Sequence, residues 1–278
     1  MTRKIIGYYN DAQDSSDSDQ LILEIGSGQV ACIQKGAASH QVEGLELFAL
    51  EKETHDWSDI FYEVMSASKI LGRNYRDVHC YYNFEEAIII PEEKFSVTAA
   101  EDYLALVYGE SIRYDIKYDT LLSPGYINAY RIRKSIHELV GRHFILYKPH
   151  HSYSPILDDI LTREQLDANF VKIQFYSNHI ILAFVKEKQL QLVQSFQYQT
   201  TDDVLYYLIR ITQQFGIKND KSTLEISGMF DTGSALYPQL SKLFGQISFD
   251  NIQADGLFPS ALGDHPAHNF TPLYKLVV

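Results

Sequence analysis

The first residues that could support chemistry form the run Glu24-Ile25-Gly26-Ser27-Gly28. Glycines on both sides of a hydroxyl residue allow backbone N–H groups to come close to a phosphate, because a glycine adds no side chain to the turn. Glu24 adds a carboxylate two residues before the turn, of the kind that holds a metal ion or its bound water. The same run also fits an ordinary β-hairpin turn, so both interpretations stay open.

A second group of small residues lies between Ile226 and Ser234, in the run Ile-Ser-Gly-Met-Phe-Asp-Thr-Gly-Ser. A strand that ends at Gly228, followed by a helix that begins near Thr232–Ser234, would place an anion-binding helix N-terminus there. The alternative is a plain strand-to-helix turn with Asp231 or Thr232 as its cap. The candidate cofactor-binding residues of the chain are therefore Gly26, Ser27, Gly28, Gly228 and Gly233.

Two further motifs carry polar residues but predict no catalysis. His150 and His151 precede Ser152 and Ser154, yet adjacent residues rarely face each other, and no glycines form a nucleophile elbow around the serines. In the run Asp264-His265-Pro266-Ala267-His268, the proline disfavours the helix that would align both histidines on a metal ion. We therefore predict no catalytic residue and no metal ligand in this chain.

The elements around the first turn begin with three strands and a helix. Asp56 is a candidate N-cap, and Gly72 is placed to end the helix that follows it. The apolar residues on one face of that helix are Ile60, Val64, Ala67 and Leu71. The predicted strands are 21–25, 29–34, 45–50, 78–82 and 88–91, and a second helix runs from Thr98 to about Tyr108.

The second half repeats this order of elements. Thr200 and Asp203 have the spacing of a capping box at a helix start, and Gly216 follows the helix. The apolar residues on one face of this helix are Val204, Leu208, Ile211 and Phe215. The predicted strands are 170–176, 179–186, 190–198, 223–227 and 246–249, with a second helix over 235–244.

The two halves match in position, which indicates internal duplication. Ile60 and Val204 are 144 positions apart, and Gly72 and Gly216 keep that offset. Three antiparallel strands, a helix, a strand and a helix, given twice, form the arrangement of the actin-like, ribonuclease H-like α/β fold. We predict a mobile acidic leader at 1–20, a first subdomain at 21–150 and a second at 168–278. The alternative is two unrelated α+β domains.

An actin-like ATPase holds its nucleotide between the two halves, and each half supplies a hairpin of the type Asp-x-Gly. Here Glu24 replaces the first aspartate, and Ala31 stands where a basic residue is common. In the second half Gln174 replaces the aspartate, and Tyr176 places a bulky ring where the backbone must approach phosphate. We therefore predict no significant ATP hydrolysis, and we expect Phe175 and Tyr176 to fill the groove rather than line it.

Several stretches resemble an uncharacterised bacterial family whose known fold is actin-like. The resembling stretches are Tyr126–Tyr130, Tyr147–Leu157, Phe196–Leu208 and Leu224–Gly228, together with Ile88–Pro91 and Phe95. The resemblance covers about residues 20–250 and implies the fold. These stretches contain no catalytic signature, so the resemblance implies no activity.

Composition limits the classes of partner. The net charge is −12 and the isoelectric point is near 5.2, which disfavours nucleic-acid binding because an acidic chain repels phosphate backbones. The first residues lack the apolar segment of a signal peptide, and no run is long enough to cross a membrane. Cys32 and Cys80 lie in apolar runs and are expected to be core residues. A soluble cytoplasmic protein without nucleic-acid or membrane partners is the resulting expectation.

The leading functional hypothesis is a cytosolic, non-catalytic binding or scaffold protein on a degenerate actin-like fold, with a protein partner. The first alternative is a nucleotide-binding ATPase or small-molecule kinase of the actin-like group. The second is a ribonuclease H-like nuclease, for which Glu24 and Asp231 are an incomplete set of carboxylates. No cofactor is predicted, although residual nucleotide binding at the glycine-containing turns is left open.

Overall fold

The computed structural model describes residues 2–10, 18–51, 56–123, 125–218, 221–252, 256–259, 262 and 265–278. The chain divides into two compact units. The first contains Met1–Pro155 with Ala254–Ser260 and Leu276–Val278, and the second contains Ile156–Gln253 with Ala261–Lys275. The main division falls at Pro155/Ile156, between the predicted subdomain ranges 21–150 and 168–278. The last three residues belong to the first unit, although we assigned them to the second.

The first unit is built on a six-stranded sheet. Its strands are β1 (Thr2–Tyr9), β2 (Gln20–Gly26), β3 (Gln29–Lys35), β4 (Val42–Leu50), β5 (Asp77–Asn83) and β9 (Lys148–His151), and helix α1 covers Trp57–Ala67. The strand order is β1-β4-β3-β2-β5-β9, with β2, β5 and β9 parallel to one another. Strands β2 and β3 are buried along most of their length, as expected for the centre of a sheet covered on both faces.

Strand β1 corrects our prediction that ordered structure begins at Leu21. Residues 2–9 pair antiparallel with β4, from Thr2 opposite Leu50 to Tyr9 opposite Gly44. The pairing is reinforced by Glu46, a fully buried carboxylate that accepts hydrogen bonds from Lys4 and Tyr9. The alternating sequence of β1 gave a weak strand signal, and its partner, β4, lies far from it in the sequence. The acidic run 11–17 lies outside the described residues.

Helix α1 begins as predicted but ends earlier. The Asp56 side chain accepts a hydrogen bond from the Ser58 amide, which confirms the N-cap. The helix ends at Ala67 instead of continuing to Leu71, and Ser68 is its C-cap residue. The Ser68 hydroxyl accepts from the amides of Ile70 and Leu71 and donates to Glu46. This local bonding competes with a further helical turn.

An insertion separates β5 from the last elements of the first unit. It contains β6 (Ala87–Pro91), α2 (Val97–Tyr108), β7 (Tyr114–Thr120), β8 (Tyr126–Arg133) and α3 (Lys134–His143). The strands form a separate sheet in the order β6-β8-β7. The α2 N-cap is Ser96, whose hydroxyl accepts from the Ala99 amide, and not Thr98 as predicted. Strands β7 and β8 and helix α3 were not predicted, since β7 is largely polar and half-exposed.

The second unit follows the predicted element order. Its elements are β10 (Asn169–Phe175), β11 (His179–Lys186), β12 (Gln189–Gln197), α5 (Thr201–Gln214), β13 (Thr223–Gly228), α6 (Leu236–Leu243) and β14 (Gln246–Phe249). Helix α4 (Tyr153–Leu161) precedes them, and α7 (Thr271–Tyr274) follows. Thr200 and Asp203 form the predicted capping box on α5. The core packs one face of the sheet against α5 and α6, with Val204, Leu208 and Leu240 fully buried.

The two sheets have the same strand order. The second sheet runs β12-β11-β10-β13-β14, and the first, apart from β1, runs β4-β3-β2-β5-β9. In each unit three antiparallel strands are followed by a helix and a parallel strand beside the first strand. In the described part of the chain, no helix combines the length and the apolar character that crossing a bilayer requires.

Candidate functional site

The first predicted turn joins β2 to β3 and lies beside a buried carboxylate. Glu24 is 1% exposed, and its oxygens accept hydrogen bonds from three neutral side chains. The donors are Gln29 Nε2 at 2.9 Å, Asn83 Nδ2 at 3.3 Å and Ser152 Oγ at 3.3 Å. Bonds to both oxygens stabilise the buried group. They also engage oxygens that a metal ion or its water would need.

Gly26 of this turn has a packing reason of its own. A Cβ on Gly26 would lie 3.1 Å from the Asn83 carbonyl oxygen, because β2 and β5 run side by side at that point. The Gly28 carbonyl accepts a hydrogen bond from the Leu50 amide of β4. Ser27, between them, is exposed. The turn therefore presents one accessible hydroxyl residue on a well-anchored hairpin.

The second hairpin joins β10 to β11 and is filled by an aromatic side chain. Tyr176 is 2% exposed, and its ring is parallel to that of His179, with centroids 4.6 Å apart. Its hydroxyl accepts a hydrogen bond from Gln174 Nε2, and its amide donates to the His179 carbonyl at 3.0 Å. The Tyr198 hydroxyl donates to the Tyr176 carbonyl at 2.8 Å. Gln174, which we predicted to replace an aspartate, is thus hydrogen-bonded within the hairpin itself.

Gly228 ends β13 in a conformation that requires glycine. Its φ is +82°, and a Cβ would lie 2.1 Å from the Phe175 carbonyl oxygen on the neighbouring strand. The Met229 amide donates to that same carbonyl at 2.9 Å. Close approach of two backbones at the end of the strands therefore explains Gly228 without a ligand.

Gly233 lies in a turn and not at a helix N-terminus. Its amide donates to Asp231 Oδ1 at 2.8 Å, so the donor is already engaged. Helix α6 begins at Leu236, one residue after the start of the predicted helix 235–244 but later than the Thr232–Ser234 start that the anion-site interpretation needs. Its N-cap, Ala235, makes no side-chain cap bond. The physical reason is that Asp231 stabilises a local turn in competition with the first helical turn.

The five candidate residues therefore fall into separate groups. Gly26, Ser27 and Gly28 form one turn of the first unit, whereas Gly228 and Gly233 flank a loop of the second unit. Residue roles at these positions stay predictions. The backbone of both groups is explained by strand packing and turn bonding.

The sequence prediction missed a buried charge cluster in the second unit. Lys172 on β10 is 1% exposed, and its Nζ lies 2.7 Å from Glu225 and 3.3 Å from Asp159. It also contacts Asp250, the residue after β14. The surrounding ion pairs are Arg163–Glu225 at 2.9 Å, Arg163–Asp159 at 2.7 Å and Lys275–Asp159 at 2.6 Å.

Without the lysine, this cluster would resemble a metal site. Ligand oxygens of Asp159, Glu225 and Asp250 lie within 4.8 Å of one another, a spacing that could surround a divalent ion. The Lys172 ammonium contacts all three and supplies the positive charge instead. The nuclease hypothesis counted Glu24 and Asp231, and neither belongs to this group.

The electrostatics of the cluster favour a permanently charged network. Burial opposes the charged form of Lys172, but attraction to Asp250, Glu225 and Asp159 outweighs it and raises the lysine pKa. Burial likewise opposes the charge on Asp159, but Lys172, Lys275 and Arg163 lower the pKa of Asp159 to about 2. The sequence contained one local indication of this charge cluster, which was a lysine, Lys172, within the apolar strand run 170–176.

The chain belongs to the family DUF3822, described as proteins of unknown function, whose family model matches residues 10–247. This confirms that the resemblance concerned an uncharacterised family. A comparison with curated protein sequences gives no match.

Comparison with solved structures shows the fold. A Bacteroides thetaiotaomicron protein described as having an actin-like ATPase fold and unknown function superposes with a TM-score of 0.80 at 17% identity, over 94% of this chain and 96% of its own. The PilM–PilN type IV pilus biogenesis complex gives a TM-score of 0.61 at 13% identity, over 94% of this chain and 98% of the matched chain. The predicted actin-like α/β fold is thus confirmed.

Proposed function

We propose that this protein is a non-catalytic binding or scaffold protein on an actin-like fold. The observation that carries the proposal is the second hairpin, where Gln174 bonds to the hydroxyl of a buried Tyr176. A hairpin that served phosphate would need free backbone donors and a carboxylate for metal-bound water. Here an amide replaces the carboxylate, a ring occupies the turn and the Tyr176 amide is engaged.

The first hairpin supports the same conclusion. Phosphoryl transfer relies on positioned charges that hold magnesium and stabilise the transferred group. Glu24 is the one carboxylate at the corresponding position, and neutral donors contact both of its oxygens. Breaking these contacts to admit a metal ion would leave buried amide and hydroxyl donors without that acceptor, which is costly.

A protein partner is compatible with this fold. One structural neighbour is part of a two-protein complex, PilM–PilN, named for type IV pilus biogenesis. That likeness concerns the fold alone, so it is compatible with a binding role and names no partner for this chain.

Residual nucleotide binding without turnover is a second candidate. Exposure of Ser27, between two glycines, favours it, because this turn places an exposed hydroxyl residue between two residues that add no side chain. This candidate keeps the non-catalytic conclusion and changes only the ligand.

The first experiment measures magnesium-dependent ATP hydrolysis and thermal shifts with a panel of nucleotides. We compare the wild type with Glu24→Gln, which keeps the side-chain shape, and with Glu93→Gln at an exposed position as the matched control. We expect no turnover above background in any of the three. Turnover that is lost in Glu24→Gln but kept in Glu93→Gln would refute the proposal.

The second experiment tests the scaffold role. A partner captured from the native host is purified separately, and its affinity for this protein is measured with and without Mg-ATP. We expect the two affinities to agree within twofold. A requirement for nucleotide in binding would favour the actin-like ATPase hypothesis instead.

A further inference from the structure

Two histidines on neighbouring strands of the first unit face each other at the protein surface. His79 lies on β5 and His150 on β9, with side chains 20% and 30% exposed. Nδ1 of His79 and Nε2 of His150 are 3.0 Å apart. Strand pairing sets this contact, because parallel register places Tyr81 beside His150 and His79 beside Lys148.

The rings meet edge to edge. Their planes differ by 9° and their centroids are 5.1 Å apart, while the facing nitrogens are much closer at 3.0 Å. The centroid distance exceeds the nitrogen–nitrogen distance by about one ring radius for each ring, so each of these nitrogens points toward the other ring. The Tyr81 ring packs beside His150, with centroids 5.0 Å apart, and limits the movement of that imidazole.

A carboxylate lies at the far nitrogen of each ring. Asp77 Oδ1 is 3.3 Å from His79 Nε2, and Asp119 Oδ1 is 3.5 Å from His150 Nδ1. Asp119 is itself held by the His151 amide at 2.8 Å and the Ser154 hydroxyl at 2.6 Å. Lys148 Nζ bonds Asp77 at 2.8 Å and lies 3.4 Å from His79 Nε2.

These contacts fit two placements of the imidazole protons: one N–H shared between His79 Nδ1 and His150 Nε2, or both N–H groups turned outward to the carboxylates. A neutral imidazole has one N–H, and a neighbouring carboxylate draws it to the nitrogen that faces that carboxylate. If both rings donate outward, two lone pairs face each other at 3.0 Å, and a cation shared between them removes their repulsion. The same outward carboxylate contact accompanies most metal-binding histidines and raises their basicity.

We propose that His79 and His150 form a binding site for a transition-metal ion of the Cu²⁺, Ni²⁺ or Zn²⁺ class. Imidazole nitrogens suit these ions, and Cu²⁺ binds most strongly in the usual affinity order. Two protein ligands leave the remaining coordination positions to water or to a ligand from outside the chain. With metal–nitrogen bonds of about 2.0–2.1 Å, two nitrogens at right angles on one ion are about 2.9 Å apart, close to the 3.0 Å between His79 Nδ1 and His150 Nε2. Both rings must rotate so that their lone pairs point to that ion. Asp77 and Asp119 orient the rings, which makes them positioning residues.

The experiment titrates metal-free full-length protein with Cu²⁺, followed by calorimetry and by electron paramagnetic resonance. We compare the wild type with His79→Ala and His150→Ala, after confirming by circular dichroism and melting that each variant is folded. The matched control is His137→Ala, since His137 is 23% exposed and bonds a carboxylate, Asp115 at 2.6 Å, but is not part of the pair.

We expect one Cu²⁺ equivalent with two nitrogen ligands in the wild type and in His137→Ala. Loss of either paired histidine removes a ligand, so it should weaken this equivalent by more than the about 10–100-fold typical of losing a ligand's hydrogen-bond partner, and should leave one nitrogen ligand. Asp77→Asn should weaken binding by a smaller factor without removing a nitrogen signal. Three results would each overturn the proposal. They are no saturable Cu²⁺ binding to the wild type, Cu²⁺ binding that persists in both His79→Ala and His150→Ala, or a loss of Cu²⁺ affinity in His137→Ala equal to that in the paired variants. The first of these would show that the pair shares only a proton.

Discussion

Replacing Lys172 by methionine should strongly destabilise the second unit. The ammonium contacts Asp159, Glu225 and Asp250. Among the ion pairs of the described residues, its removal leaves these three carboxylates with the charges of Arg163 and Lys275 alone. Methionine preserves most of the side-chain volume, so the loss is electrostatic and not a cavity. Breaking a buried ion pair by removing one partner costs about 3–5 kcal/mol.

Urea unfolding measures this loss. With an m-value of about 1–3 kcal/mol/M, a loss of about 3–5 kcal/mol lowers the midpoint by at least about 1 M. The matched control is Lys188→Met, because Lys188 is exposed. Its ammonium donates to the Glu164 carbonyl at 3.1 Å, a contact that involves no charged partner. An exposed substitution of this kind should change stability by about 0.5 kcal/mol or less.

Removing one carboxylate as well should recover part of the loss. In the double variant Lys172→Met with Glu225→Gln, the uncompensated negative charge disappears, so the two effects should not add. A shorter replacement, Lys172→Ala, leaves space among the three carboxylates, and Mn²⁺ or Ca²⁺ should then raise its stability with concentration. If Lys172→Met behaves like Lys188→Met, the cluster contributes nothing and the reasoning is wrong.

Two further predictions concern acid stability and a single glycine. The pKa of Asp159 falls from 3.8 to about 2 on folding, so its stabilisation is complete above pH 3.8 and is lost as the pH falls toward 2. This amounts to about 2 kcal/mol, and unfolding curves at pH 5 and pH 2.5 should show a loss that is smaller in Asp159→Asn. An unchanged pH response in that variant would contradict the assignment. Gly228→Ala should destabilise the protein by more than about 2 kcal/mol, because its φ is +82° and the new Cβ would lie 2.1 Å from the Phe175 carbonyl oxygen. Gly72→Ala, where a Cβ meets nothing within 4 Å, is the control, and equal melting temperatures for the two variants would refute the close approach.

The sequence by itself determined the elements whose signals are local. The helix over 201–214 was predicted from apolar spacing and from the capping box of Thr200 and Asp203, both of which depend on residues within about three turns. The order of elements in the second unit was predicted from its apolar runs. The fifth predicted run of the first half, 88–91, belongs instead to the separate three-stranded sheet, and β9 takes the position in the first sheet that β14 has in the second. Together these local patterns were enough to predict the actin-like fold.

Tertiary structure decided the features that depend on distant partners. Strand β1 has a weak pattern of its own and is held by Glu46 on β4, so the sequence of residues 2–9 could not show it. The largely polar strand β7 pairs only because β8 lies beside it. Pairing energy between strands depends on the neighbour and not on the isolated segment.

The charged and histidine clusters show the same limit for chemistry. Lys172 and Glu225 are separated by 53 residues, and His79 and His150 by 71, yet parallel strand pairing brings each pair into contact. Residue types in the sequence established that carboxylates, a lysine and histidines were present. Which of them meet depends on strand register, because a shift of one residue would turn each side chain to the opposite face of its sheet.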